Sequence, residues 1–173
     1  MLRKMEKNEF EVFHQLLEDN FPKSERRLKH VQKRLLDLDS YNVFVETDGD
    51  DIVGFFAEWS SEAFRFVEHL AVNQKYRGSG TGSRLLKEYH DLSDVPVILE
   101  VEPPEDDIQQ RRVKFYERNG YHLTPFGYMQ PTLYEGETPI PLVLMSYPDR
   151  MTEAEFNTFK TWSHTTIYHP DNK

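Results

Sequence analysis

Apolar positions recur along the chain first at helical and then at strand spacing, and the order of these segments outlines a fold. Phe10, Phe13 and Leu17 follow Asn8 at helical intervals, with Glu11 where a capping-box acid belongs, and Phe21-Pro22 ends the segment. From Ser24, the stripe Leu28, Val31, Leu35 and Leu38 predicts a second helix that leaves Arg26, Arg27, Lys29, Lys33 and Arg34 on its solvent side. The β-rich runs YNVFVE and DIVGFFAEW flank Thr47-Asp48-Gly49-Asp50, a hairpin signal. Residues 64–72 read as a third strand with Phe66, Glu68, Leu70 and Val72 on one face. A glycine-rich stretch follows, then a helix marked by Leu85, Leu86, Tyr89 and Leu92, then the apolar run VPVILEV. Strand, helix, strand implies a right-handed parallel crossover. Residues 106–119 predict another helix closed by Gly120, and strand-like runs come around 121–128 and 140–147. Thr152 and Glu155 form a capping box before Phe156, Phe159 and Trp162, so the chain is expected to end in a packed helix and tail over 151–173.

No repeat, low-complexity tract or linker interrupts this order, and 173 residues suit a single domain spanning 1–173. The 38% hydrophobic and 29% charged residues are those of a globular protein, which excludes fibrous and disordered classes. Without cysteine there is no disulfide framework, thiolate metal site or cysteine nucleophile, and a reducing, cytoplasmic setting fits. MLRKMEKNEF lacks the apolar stretch of a secretory signal, and no run approaches a membrane span, so no membrane partner is expected. The formal charge of -9 repels polyanions, which argues against nucleic acid and mildly favours cationic ligands. The seven histidines have no ligand spacing, and no metal is implied.

The chemistry concentrates in QKYRGSGTGS. Three glycines alternate in Arg77-Gly78-Ser79-Gly80-Thr81-Gly82 just before a helix, so the backbone can approach a ligand closely and turn several N–H groups toward it. Those amides and the helix N-terminus suit a diphosphate, with Arg77, Ser79, Thr81 and Ser83 as further donors. A Walker loop would need Lys and Ser/Thr after its last glycine, where Ser83-Arg84 stands. A dinucleotide-binding βαβ unit would open on a parallel sheet, whereas antiparallel candidates precede these glycines.

Arg77, Gly80 and Gly82 satisfy the pattern Arg/Gln-x-x-Gly-x-Gly/Ala, HLAV precedes it, and LEV (99–101) and FYERNGY (115–121) follow. In these motifs and in the order of its elements the chain resembles the GCN5-related N-acetyltransferases (GNAT). The resemblance implies an α/β (α+β) fold, with a mixed, mostly antiparallel central sheet, helices on both faces, and a splayed parallel strand pair holding acetyl-CoA as co-substrate. It further implies that backbone groups of Leu70 and Val72 pair with the pantetheine arm and thioester. Leu70 N–H would be the oxyanion donor, and Arg77, Gly78, Ser79, Gly80, Thr81, Gly82 and Ser83 would hold the pyrophosphate.

Two glutamates match base positions used by different members. Glu68 stands two residues before the thioester-binding positions, and Glu100 lies within LEV. Direct transfer needs a neutral amine, and an alkylammonium with a pKa near ~10.4 must lose a proton to a base or a relay water. Tyr116 matches the tyrosine that protonates the departing thiolate. Gln109 stands where members often carry Asn, and Arg111-Arg112 where a small residue is common. The acceptor pocket is expected from residues 21–34 and 129–139, the latter offering Gln130, Tyr134, Glu135 and Glu137. The reading is an N-acetyltransferase acting by direct attack in a ternary complex on a small-molecule or protein amine, with a homodimer as family analogy. The alternatives are a catalytically inactive acyl-CoA-binding regulatory or interaction module, and a phosphate-loop binder of another nucleotide.

Overall fold

The computed structural model describes residues 1–134 and 136–173, which fall into two compact units, Met1–Val95 and Pro96–Lys173. Among the described residues no helix is long and apolar enough to cross a membrane.

The first unit is built on four antiparallel strands, β1 (Arg3–Lys4), β2 (Tyr41–Asp48), β3 (Asp51–Ser60) and β4 (Arg65–Val72), in that spatial order. The Asp-Gly hairpin joins β2 to β3 through Gly49, whose φ of 59° requires a residue without Cβ strain. Helix α1 (Phe10–Asn20) packs Phe13 edge-on against Phe55, whereas α3 (Thr81–His90) stacks Tyr89 on Phe56 at 4.4 Å. Phe55 and Phe56 are neighbours on one strand and point to opposite faces, so α1 and α3 cover opposite sides of this sheet. Gly54 lets α3 come close: a Cβ there would lie 2.6 Å from Leu85 Cδ1 and 3.0 Å from the Ala71 carbonyl.

Two N-terminal expectations change. The capping box forms two residues earlier than Asn8/Glu11, between Glu6 and Glu9, because Glu9 accepts from Glu6 N–H and is clamped by Arg3 at 2.6 Å. The second helix, α2, covers only Lys29–Leu35; before it the chain makes a 3-10 turn at Lys23–Glu25 and is extended at Arg26 and Leu28. Its stripe is correspondingly short, with Val31 and Leu35 buried but Leu28 and Leu38 partly exposed. The extended stretch also turns Arg27 inward, so it is buried rather than solvated.

In the second unit β8 (Ile140–Tyr147) pairs antiparallel with β5 (Val97–Val101), and with two short strands, β6 (His122–Leu123) and β7 (Tyr128–Gln130). The single run expected over 121–128 is therefore split. Thr124-Pro125-Phe126-Gly127 lies between the two pieces, and Pro125 has no N–H to give a ladder. Helix α4 (Asp107–Arg118) ends before Gly120, at φ 88°, and α5 (Glu153–Trp162) starts on the expected Thr152/Glu155 box. A π-helical turn over Ser163–Ile167, which no pattern in the sequence announced, follows α5.

Candidate functional site

The glycine turn has the conformation its composition demands. Gly78, Ser79 and Gly80 are consecutively left-handed, with φ of 91°, 51° and 77°, and Gly80 is the N-cap of α3. Thr81 N–H and Oγ1 both return to the Gly78 carbonyl at 3.1 Å, closing the turn. The N–H groups of Ser79, Gly80, Gly82 and Ser83 make no hydrogen bond among the described residues. A Cβ at Gly78 or Gly80 would meet nothing within 4 Å, so the turn borders open space. Free amides at the start of a ten-residue helix fit an anionic group such as a pyrophosphate.

Arg77, next to this turn, is partly engaged by neutral acceptors that leave its charge uncompensated. Its Nε donates to the Val72 carbonyl at 3.1 Å and its Nη2 to Asn20 Oδ1 at 2.6 Å, tying the end of β4 to the end of α1.

The hydrogen-bond phase of β4 defines which of its backbone groups look away from β3. Asn73 N–H donates to Val53 at 2.9 Å, and the register continues Gly54↔Val72, Phe55↔Ala71, Phe56↔Leu70 and Ala57↔His69. Because bonded and non-bonded pairs alternate in an antiparallel ladder, Leu70 and Val72 fall in the non-bonded pairs and turn N–H and C=O away from β3. The Val72 carbonyl is the one taken by Arg77.

A β-bulge corrects the expected faces of this strand. Register passes from Ala57↔His69 to Glu58↔Val67, so Glu68 is an extra residue with no opposite number. The alternation slips by one there: Glu68 and His69 project to the same side, their side chains 3.7 Å apart. Glu68 and Phe66 thus share the α1 face with Trp59, while Leu70 and Val72 share the α3 face with Phe56. Glu68 is not on the face of the residues expected to bind the thioester.

Glu68 sits in a closed polar cluster. Arg27 Nη1 donates to Oε1 at 2.7 Å and Trp59 Nε1 to Oε2 at 3.2 Å, with the guanidinium 5.6 Å from the Trp59 ring. Burial alone would push the Glu68 carboxyl up, but the Arg27 charge and hydrogen bond, helped by the Trp59 N–H, hold it below the usual carboxylate range. Burial pushes the His69 imidazole down, so the ring is neutral at pH 7; Nε2 faces the Glu25 carbonyl at 2.8 Å and carries the hydrogen. On the α3 face, Glu58 is buried against Arg65 at 2.8 Å and also accepts from the Tyr89 hydroxyl.

In the second unit Glu100, on β5, faces two neutral donors. Gln130 Nε2 donates to its Oε2 at 2.7 Å, and the Tyr168 hydroxyl lies 3.4 Å from Oε1. The buried Tyr128 hydroxyl lies close to Glu100, Ser163 and Tyr168 without a well-aligned hydrogen bond, and burial, reinforced by the Glu100 charge, pushes it above the usual phenol range. Tyr116, half-buried on α4, packs edge-on against Phe115 and Tyr121, and burial pushes its hydroxyl up to about 12. That hydroxyl makes no hydrogen bond among the described residues.

Two departures from the family pattern acquire local explanations. Gln109 is the third residue of the α4 capping box, its Oε1 accepting from Glu105 and Asp106 N–H at 2.9 and 3.1 Å. Arg112 faces Glu102 at 3.5 Å, an exposed ion pair. Of the acceptor-side residues, Gln130 is committed to Glu100, and Glu135 lies outside the described residues. Sequence reasoning missed the roles of Arg27, Tyr128 and Tyr168. Arg27 was assigned to a helix face that does not form, and the two tyrosines carried no motif.

Residues 39–123 match the family described as the acetyltransferase (GNAT) domain. No curated protein matches the chain. Among solved structures, a GNAT-family protein from Bacteroides thetaiotaomicron, assigned as an acetyltransferase, is 28% identical over 98% of each chain with a TM-score of 0.90. Arabidopsis thaliana NAA60, solved with acetyl-CoA, is 17% identical, with 85% of this chain and 97% of that one covered and a TM-score of 0.64. Arabidopsis thaliana Naa50, solved with the bisubstrate analogue CoA-Ac-MVNAL, is 20% identical, with 84% and 96% covered and a TM-score of 0.63. At that identity the two plant structures speak for the fold alone. The chain thus has the GNAT fold, and its residues 39–123 match the acetyltransferase (GNAT) domain family.

Proposed function

We propose that this protein is an N-acetyltransferase that moves the acetyl group of acetyl-CoA to a primary amine by direct attack within a ternary complex. The observation that carries the reading is the left-handed turn at 78–80, with its unpaired amides at the start of α3, directly after a strand whose Leu70 and Val72 backbone groups turn away from β3. Acetyl-CoA supplies an activated acyl thioester. The free amides of Ser79, Gly80, Gly82 and Ser83 bind its pyrophosphate, and Val72 N–H pairs with the pantetheine arm. Leu70 N–H donates to the carbonyl oxygen as the amine nitrogen bonds to the carbonyl carbon and the C=O electron pair moves onto oxygen.

The two carboxylates differ in fitness as the base that takes the amine proton. Glu68 has both oxygens engaged, one by a buried guanidinium, and protonating it would strand that charge. Glu100 accepts from the neutral donors Gln130 and Tyr168, and a proton arriving directly or through water leaves both of these uncharged and able to reorient. We assign the base to Glu100 and a structural ion pair to Glu68. When the C–S bond breaks, the Tyr116 hydroxyl stabilises the sulfur. With its phenol near 12, full transfer to a thiolate, whose acid has a pKa of ~8.5, is uphill by ~3.5 pH units, so Tyr116 acts as a hydrogen-bond donor to the developing charge.

The test is thiol release with acetyl-CoA against 1,4-diaminobutane and a pentapeptide with a free α-amino group, with products identified by mass. Acceptor-dependent release is expected for at least one class. Tyr116→Phe should lower kcat roughly 10- to 100-fold with little change in KM. Calorimetric binding of acetyl-CoA without turnover on either acceptor, or undiminished turnover in both Tyr116→Phe and Glu100→Gln, would overturn the mechanism.

A further inference from the structure

The group that holds Glu100 comes from the far end of the chain. Gln130 Nε2 has two hydrogens; one points to Glu100 Oε2 at 2.7 Å and the other to the Tyr168 oxygen at 3.0 Å. Having accepted that bond, the Tyr168 hydroxyl has its own proton left to donate, and Glu100 Oε1 lies 3.4 Å away. The three side chains close a ring in which the ionised carboxylate only accepts.

The backbone that delivers Tyr168 is unusual. After α5, the wide turn over Ser163–Ile167 ends with Tyr168 N–H bonded to the Ser163 carbonyl at 3.0 Å, five residues back. Ser163 and Ile167 are wholly buried and Tyr168 nearly so, so the turn is anchored into this unit rather than fraying from a helix end. Wide turns of this kind cost hydrogen-bond quality and recur where a side chain must be re-aimed. Gln130 and Tyr168 both lie beyond the matched residues 39–123.

We propose that Tyr168 and Gln130 are positioning residues for Glu100, so that the segment after α5 is a working part of the proton-accepting site and governs its pH response. This rests on the assignment of Glu100 as base. Hydrogen bonds to the ionised form favour it, so removing either donor raises the pKa of Glu100 and moves the acidic limb of kcat/KM to higher pH. The described groups facing Glu100 include Gln130 and Tyr128 from β7 and Tyr168 from the terminal turn. Glu102, just past the end of β5, is paired with Arg112.

The whole chain, labelled with 13C at glutamate side-chain carboxyls, is titrated by NMR, with the Glu100 signal assigned by its loss in Glu100→Gln. Tyr168→Phe keeps the ring and removes only the hydroxyl, and Gln130→Met keeps the length. The Glu100 midpoint is expected to rise by about 0.5 pH unit in the first and by more in the second, in keeping with their distances. The acidic limb for the acceptor found above should move by the same amount while kcat at its plateau changes less. A Glu100 midpoint unmoved in both variants, each with a wild-type melting curve, overturns the proposal. Wild-type turnover by Glu100→Gln overturns instead the assignment of the base. The two failures are distinct because the titration needs no acceptor.

Discussion

Arg27 and Glu68 exchange a charge where neither meets water: the arginine side chain has no exposed surface and the glutamate 6%. A pair of this kind adds little to stability over an apolar replacement, but breaking it leaves one charge buried alone. Arg27→Met is therefore expected to lower unfolding stability by about 3 to 5 kcal/mol, read from urea denaturation. The double variant with Glu68→Gln should lose clearly less than the sum of the two single changes, because the singles share one interaction. If Glu68 were instead the proton acceptor, Glu68→Gln would abolish turnover in a protein of near-normal stability. Both glutamates were visible in the sequence as candidate bases, and nothing in the motifs ranked them. Their ranking depends on what faces each carboxylate, and those partners lie 41 residues away for Glu68 and 30 and 68 residues away for Glu100.

At the scale of elements, the strand order, the hairpin at Gly49, the glycine turn and the α5 capping box were all legible, because each depends on short-range pattern or on a residue type with one conformational use. What was not legible depends on counting. The bulge at Glu68 inserts one residue into β4 and reverses which side each later position faces, and no residue there announces it. The contact between α3 and β3 hangs on a single missing methyl. Gly54→Ala would drive a Cβ into Leu85 and the Ala71 carbonyl, and since the backbone oxygen cannot step aside cheaply, a loss of about 1 to 3 kcal/mol is expected. The displaced α3 start should also raise the KM for acetyl-CoA, whereas a merely weakened core would leave it unchanged. Strand β2 and α3 are further joined by Glu46, whose two oxygens accept from Arg84 at 2.6 and 2.8 Å. Those hydrogen bonds hold the Glu46 carboxyl down to about 2, so its contribution is fully present above the ordinary carboxylate value of ~4.3 and is lost as pH falls toward about 2. Urea midpoints measured from pH 5 to 2 should fall more steeply for the wild type than for Glu46→Gln.

For the molecule as a whole, the net charge of -9 favours cationic acceptors without selecting one. The family signature occupies residues 39–123, yet each candidate base is completed from outside that stretch: Glu68 by Arg27, Glu100 by Gln130 and Tyr168. The boundaries by which the domain is recognised are therefore not those within which it is self-sufficient. A fragment trimmed to 39–123 would keep every recognisable motif, lose α1 and β8, and bury one carboxylate without its cation. It is expected to lack a cooperative melting transition in calorimetry. Shortening this protein for expression, or fusing a partner to its C-terminus, therefore changes what surrounds Glu68 and Glu100 as well as the ends of the chain.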